Sequence, residues 1–122
     1  MMSAELHIVE RSFEFAVRVV RLCRFLETQD RVSRTLANQL LRAGTSIGAN
    51  IEEAQAGQSK ADFTAKMAIA RKGARETLYW LRLLKAAEIV ESDQLNDITK
   101  EADELVRILT SIVKTSQLGK NS

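Results

Sequence analysis

The 122-residue sequence contains no proline, five glycines, one cysteine and one histidine. Because proline and glycine are the residues that most often interrupt helices, their scarcity predicts long helices with short connections. The single cysteine excludes an internal disulfide and indicates a reducing compartment. No apolar run approaches the roughly 18 residues of a membrane span, and no export signal is recognisable. We therefore expect one cytoplasmic domain with no membrane contact.

The same scarcity limits the chemistry of the chain. A zinc site needs Cys and His ligands that are missing, and the Glu-x-x-His motif of di-iron bundles does not occur. His7 is interpreted as an exposed or loosely packed residue, and Cys23 as a small core residue without a histidine partner. We expect no metal, no cofactor and no enzymatic activity.

Four amphipathic segments predict four helices, at about residues 6–28, 34–56, 60–87 and 93–116. Apolar residues recur at helical spacing in each segment. Ser33, Ser59 and Ser92 are the expected N-caps of the last three helices, and Gly57 is the expected stop of the second. Short connections predict an antiparallel up-down-up-down four-helix bundle in residues 1–116, followed by a flexible tail in residues 117–122.

Two features of this bundle predict a homo-oligomer. Apolar residues cover more than half the circumference of the first helix, including Phe13, Val17 and Val20, whereas one partner face needs a stripe of about 100°. In the second helix, Gly44 and Gly48 each cost about 1 kcal/mol relative to alanine, which asks for an offsetting close contact. We expect copies of the molecule to cover both features.

Polar residues near these glycines have two interpretations. In the structural interpretation, Asn50 and one of Glu53 and Glu76 are hydrogen-bonded groups that fix helix register, or the carboxylates are simply solvated charges. Trp80, on a second apolar ridge of the third helix, is predicted to be a packing residue. A catalytic alternative makes Glu53 and Glu76 an acid/base pair. We favour the structural role, because nothing nearby in the sequence suggests a substrate pocket.

Charge is sorted along the chain. Residues 60–85 hold seven basic and two acidic side chains, whereas residues 88–104 hold seven acidic and one basic. One face of the third helix combines cations with an aromatic residue, a pattern able to follow a phosphate backbone. The alternatives are a solvated face, or one paired with the acidic fourth helix. The candidate nucleic-acid-binding residues are Arg71, Lys72, Arg75, Tyr79 and Arg82.

The stretch from Arg42 to Leu84, "RAGTSIGANIEEAQAGQSKADFTAKMAIARKGARETLYWLRLL", resembles the four-helix bundle family of 23S rRNA intervening-sequence proteins. The resemblance extends more weakly over the first and last helices. Its most specific marks are Ser46, Ile47, Asn50, Ile51, Glu53, Ala54, Ser59, Asp62, Phe63, Ala70, Glu76, Thr77, Tyr79, Trp80 and Leu81.

This resemblance implies an antiparallel four-helix bundle that assembles as a ring-like homopentamer. Some family members are encoded within insertions in ribosomal RNA genes. A related group comprises the accessory proteins of diversity-generating retroelements, in which a basic pentamer engages a reverse transcriptase and nucleic acid. The resemblance implies no catalytic residues. We therefore predict a non-enzymatic accessory that binds RNA, DNA or a nucleoprotein. The alternative is a protein-interaction scaffold, whose ring presents the acidic fourth helix or the surface of the first helix to a polypeptide partner.

Overall fold

The computed structural model describes residues 4–120 and consists of four helices. They are α1 (Ala4–Glu27), α2 (Arg31–Gln55), α3 (Lys60–Ala86) and α4 (Ser92–Lys120), and no strand occurs within these residues. The predicted all-α four-helix bundle is thereby confirmed. Among residues 4–120, none of the four helices combines the length and the apolar character required to span a membrane.

The helix ends follow from local capping. Asp30, and not Ser33 as predicted, is the N-cap of α2, because its side chain accepts a hydrogen bond from the Ser33 backbone N–H at 2.8 Å. This bond lowers the pKa of the Asp30 carboxyl. Ser59 caps α3 as predicted, by accepting from the Asp62 N–H at 3.1 Å. Ser92 is the first helical residue of α4 and not its cap.

Two other predicted ends need correction. The second helix ends at Gln55 with Ala56 as its C-cap, and Gly57 does not adopt the left-handed conformation expected of a glycine stop. The fourth helix continues to Lys120, so residues 117–120 are helical and do not belong to a flexible tail. Residues 121–122 of that predicted tail lie outside the described residues. The helix was predicted to end too early because glycine disfavours a helix, yet Gly119 lies inside the last turn of α4.

Contacts between successive helices establish the antiparallel order. Ser12 of α1 lies against Gly48 of α2, and the Cys23 thiol of α1 contacts the Ala37 carbonyl near the start of α2. Between α3 and α4, Thr64 hydrogen-bonds Ser116, and Lys85 donates to Asn96 at the other end. The core between the helices is apolar, and its largest fully buried side chains include Phe15, Leu26, Leu40, Ile47, Met67, Leu81, Leu84, Leu105 and Leu109.

The glycines of α2 pack within the chain. A methyl group placed on Gly44 would lie 2.7 Å from Val19 Cγ1, so α1 approaches the bare backbone of α2 at this point. A methyl group placed on Gly48 would lie 3.4 Å from Ser12 Oγ and 3.5 Å from the Ser12 carbonyl oxygen, which are ordinary contact distances. The expectation that only a second copy could cover these glycines is therefore wrong. The backbone at both glycines is covered by α1, the antiparallel neighbour in the same chain.

Gly73 of α3 makes a second close approach. A methyl group there would lie 2.5 Å from Ser46 Oγ and 3.3 Å from the Ala43 carbonyl oxygen, so α2 packs against the bare backbone of α3 at this point. Gly44 of α2 therefore allows α1 to approach α2 closely, and Gly73 of α3 allows the same close approach between α3 and α2. This arrangement fixes the rotation of α3 about its axis, and with it the residues that α3 presents to solvent.

Candidate nucleic-acid interface

Four of the five predicted binding residues form one exposed ridge on α3. Lys72, Arg75, Tyr79 and Arg82 are spaced by three, four and three positions, which keeps them on one side of a helix, and all four are exposed. We call this set the α3 stripe. The opposite side of α3 carries Gly73 and Leu81 into the core. Arg71, the fifth predicted residue, is half-buried at the edge of the stripe.

Tyr79 is the aromatic centre of the α3 stripe. Its side chain is 55% exposed, although a tyrosine is large enough to stabilise a core when buried. The ring meets the indole of Trp80 with centroids 5.1 Å apart and planes at 78°. Trp80 is half-buried and packs against the hydrophobic core. The core therefore supports the tyrosine through its neighbour, while most of the ring faces solvent.

The cations of the α3 stripe have no anionic partner in the described part of the chain. Lys72, Arg75 and Arg82 form no ion pair with the acidic α4, contrary to one of the interpretations left open by the sequence. Three carboxylates of α4, those of Glu101, Asp103 and Glu104, pair with Arg11 and Arg107 instead. The stripe is thus a solvated cationic surface and not half of an interhelical charge pair.

Helix α4 directs its carboxylates to α1. The Arg11 guanidinium donates to both carboxylate oxygens of Glu101, at 2.7 and 2.9 Å, and also to Glu104. The hydrogen bonds to Glu101 are the main reason why the pKa of Arg11 is raised above its usual value. Asp103 pairs with Arg107 one turn along α4. The opposite charges of the bundle therefore meet between its first and last helices.

The predicted packing residues separate into two groups. Gly44 and Gly48 are buried against α1, Asn50 is half-buried and donates to the Ser46 carbonyl at 2.8 Å, and Trp80 packs against the core. Glu53 and Glu76 are exposed and form no hydrogen bond or ion pair within residues 4–120. Neither carboxylate packs inside the chain, so both match the solvated-charge alternative and not the role of fixing helix register.

Glu53 is not among the residues that line the cleft beside Glu76. This shallow polar cleft of about 270 Å³ lies between α2 and α3. The catalytic alternative required a pocket that joins the two side chains. That cleft is lined by Gln39, Arg42, Ala43, Ser46 and Glu76.

Cys23 lies in the core, where its thiol donates to the Ala37 carbonyl. Burial, assisted by the charge of Glu27, raises the pKa of this thiol to about 11. A thiol that remains protonated at neutral pH is a poor nucleophile. Within the described residues, no group of three or more His, Cys, Asp or Glu side chains is arranged to hold a metal ion.

A second exposed surface lies on α1, beside the groove between α1 and α2. Phe13, Val17 and Val20 line up on one face of α1 and are 56%, 37% and 39% exposed. We call these residues the α1 stripe. Leu41 of α2, which is 37% exposed, lies across the groove and lines a shallow pocket together with Val20. The wide apolar face of α1 is therefore only partly covered by the rest of the chain.

Three features of these surfaces were missed by sequence reasoning. Leu41 lies outside the narrow core face of α2, so its position beside the α1 stripe was not recognised. Arg11 was counted as a charge of α1, although its position among apolar residues indicates a half-buried side chain that needs a partner. The third missed feature is the close approach of α3 to α2, which the glycine on the second ridge of α3, Gly73, could have indicated.

Comparisons with known proteins agree with this architecture. Residues 4–111 match the family described as 23S rRNA-intervening sequence protein. A crystal structure of a protein of unknown function, from the S23 ribosomal protein family of Bacteroides thetaiotaomicron VPI-5482, is 42% identical in sequence. The match covers 92% of this chain and 99% of the other, with a TM-score of 0.83. No curated protein matches the chain. The chain belongs to the 23S rRNA-intervening sequence protein family.

Proposed function

We propose that the chain is a non-enzymatic, homo-oligomeric accessory that binds nucleic acid, alone or within a nucleoprotein. The observation that carries this proposal is the α3 stripe, whose exposed cations have no anionic partner within residues 4–120. When such cations neutralise phosphates, the counterions condensed on the nucleic acid are released, and this release favours binding. A cationic helix face in a bundle often pairs with an acidic neighbouring helix. The α3 stripe forms no ion pair with α4 within residues 4–120, so this explanation does not apply.

The α1 stripe supports the homo-oligomer in this proposal. Phe13, Val17, Val20 and Leu41 leave a row of apolar side chains in water, and contact with a second copy would remove it. The resemblance to ring-like homopentamers sets five copies as the expected number. In such an assembly each copy repeats the α3 stripe, so that one nucleic acid contacts several stripes and releases more counterions.

Nucleic-acid binding is tested by fluorescence anisotropy with labelled RNA and DNA at increasing salt. We expect binding at about 50 mM salt that weakens steeply and is lost near roughly 500 mM, because each phosphate contact contributes to the salt dependence. A matched variant pair separates this surface from net charge. Arg75→Ala should weaken binding, whereas Arg21→Ala, an exposed arginine on the helix that does not contact α3, should not.

Absence of binding at low salt, or binding that is unchanged at high salt, would refute the phosphate contact. A protein-interaction scaffold is the competing function, and the apolar α1 stripe is the observation in its favour. Its predicted alternative surface, acidic α4, is less available because Arg11 and Arg107 engage three of its carboxylates. Affinity purification with and without nuclease distinguishes the two, since a scaffold retains its polypeptide partner after nucleic acid is destroyed.

A further inference from the structure

The spacing of the α3 stripe brackets Tyr79 between cations. With a rise of about 1.5 Å per residue, Arg75 and Arg82 lie on either side of the tyrosine, roughly 6 Å and 4.5 Å along the helix axis. Both guanidinium groups are exposed and form no ion pair within the described chain. A ligand lying along α3 would therefore meet positive charge, then an aromatic ring, then positive charge again.

The tyrosine ring has a face available for stacking. Its aromatic neighbour among residues 4–120 is Trp80, and a near-perpendicular contact at 78° occupies either the edge of the tyrosine or one of its faces. In both cases at least one face is left, in agreement with the 55% exposure of the side chain. Trp80 itself packs against the core. The contact with Trp80 therefore limits the movement of the tyrosine ring.

A duplex and a single strand would use this arrangement differently. The bases of a duplex are stacked on each other, so a convex helix ridge meets only its phosphates and grooves, and an exposed tyrosine gains little. A single strand exposes the faces of its bases, and each base can stack on an aromatic side chain while the flanking phosphates contact arginine. The alternation of cation, ring and cation matches phosphate, base and phosphate.

Glu76 restricts the direction of approach. This exposed carboxylate lies one turn before Trp80 and faces the α2 side of α3, beside the cleft that it lines with Arg42. A phosphate on that side would meet an unpaired negative charge. The favourable path for a polyanion therefore follows the other side of Tyr79, along Arg75 and Arg82.

We propose that the α3 stripe binds single-stranded nucleic acid by stacking an unpaired base on Tyr79 between phosphates held by Arg75 and Arg82. This inference rests on the proposed nucleic-acid binding and adds the class of ligand and the residue that recognises it. Recognition of this kind is tolerant of sequence, because every base offers an aromatic face.

The experiment compares three ligands of equal length: a single strand of mixed sequence, a strand in which abasic sites replace the bases, and a duplex. The abasic strand keeps the phosphates and removes the stacking partner. Binding is measured at low salt for the full chain and for Tyr79→Ala and Tyr79→Phe. Phe25→Ala is the control, because Phe25 is an aromatic residue of similar exposure, 48%, on α1.

We expect Tyr79→Ala to weaken binding of the normal single strand by roughly 5- to 150-fold, the range of one base–aromatic stack. Tyr79→Phe should retain most of the affinity, and Phe25→Ala should leave it unchanged. The abasic strand should bind the full chain and Tyr79→Ala equally. Glu76→Gln, which removes a negative charge beside the stripe, should strengthen binding of all three ligands without changing their order.

Two kinds of failure are distinguishable. If the abasic strand or the duplex binds as tightly as the single strand, and Tyr79→Ala has no effect, stacking is refuted while phosphate binding stands. If none of the three ligands binds at low salt, the proposed function fails and this inference fails with it.

Discussion

The α1 stripe and the α3 stripe are exposed ridges with similar helical spacing but opposite chemistry. The first is a row of apolar side chains, Phe13, Val17 and Val20, on α1. The second is a row of cations around one tyrosine. Because the backbones of α1 and α3 do not come close to each other within residues 4–120, the two ridges are separate surfaces of the bundle.

This difference separates two kinds of association by their response to salt. Contact between apolar surfaces is driven by removal of water and does not weaken when salt rises. Contact between cations and phosphates releases counterions and weakens as salt rises. A protein that carries both ridges should therefore remain self-associated at high salt concentrations at which it no longer binds nucleic acid.

The largest expected effect is on self-association through the α1 stripe. Replacement of Phe13 by glutamine should weaken association by about 3 kcal/mol for each contact, since a central aromatic side chain contributes strongly to an interface. Phe25→Gln is the matched control on the same helix, because Phe25 is 48% exposed and lies outside the stripe. Light scattering over a concentration series measures both variants. Equal effects of the two substitutions would contradict the assignment of the interface.

The next effect concerns the α3 stripe. Arg75→Ala combined with Arg82→Ala should weaken single-strand binding by about 2 kcal/mol, roughly 30-fold, at low salt. The slope of the logarithm of the binding constant against the logarithm of the salt concentration should fall by about 2, one for each lost phosphate contact. Anisotropy at several salt concentrations gives both quantities. An unchanged slope would show that these arginines do not contact phosphates.

A smaller effect is expected where α1 packs on α2, because this contact places the α1 stripe beside Leu41. In Gly44→Ala, the new methyl group meets Val19 at 2.7 Å, so the free energy of unfolding should fall by about 1–3 kcal/mol. Gly48→Ala has room at 3.4 Å and gains helix propensity, so its stability should be unchanged or up to about 1 kcal/mol higher. Urea unfolding of the two variants compares them directly. Opposite ranks would show that Gly44 is not the point of close approach.

The smallest effect is expected for the ion pairs that join Arg11 of α1 to the carboxylates of α4. Arg11→Gln removes the half-buried pairs with Glu101 and Glu104 and should lower the free energy of unfolding by about 1 kcal/mol, less at high salt. Arg107→Gln is the control, because the Arg107 side chain is 78% exposed and its pair with Asp103 should contribute less than about 0.5 kcal/mol. Thermal unfolding at two salt concentrations checks both. A larger loss for Arg107→Gln would reverse our ranking of the two ion pairs.

The sequence predicted the helices and their inward faces well, for a physical reason. Side chains recur on one face of a helix every 3–4 residues, so the seam of α3 through Met67, Ala70, Ala74 and Leu81 is visible without a structure. The same period separated Lys72, Arg75, Tyr79 and Arg82 from the core. Whether the α3 stripe binds nucleic acid is a prediction that the fold does not test.

Partners across the bundle were less predictable, because periodicity defines a face and not the element that covers it. Gly44 was correctly taken as a point of close approach, but the helix that approaches is α1 of the same chain. Charge sorting likewise indicated that the acidic helix has a partner, yet Arg11 on α1 supplies it and α3 does not. Neighbour identity depends on the rotation of each helix, which small residues such as Gly73 set.

The central claim, that self-association and nucleic-acid binding use different surfaces, is tested most directly by sedimentation velocity with a labelled single strand. Protein and nucleic acid are followed at separate wavelengths, at about 50 mM and about 500 mM salt. We predict that both migrate together at low salt, and that at high salt the nucleic acid sediments alone while the protein remains an oligomer. A protein that is monomeric at both salt concentrations, or an oligomer that dissociates together with its nucleic acid, would contradict the account.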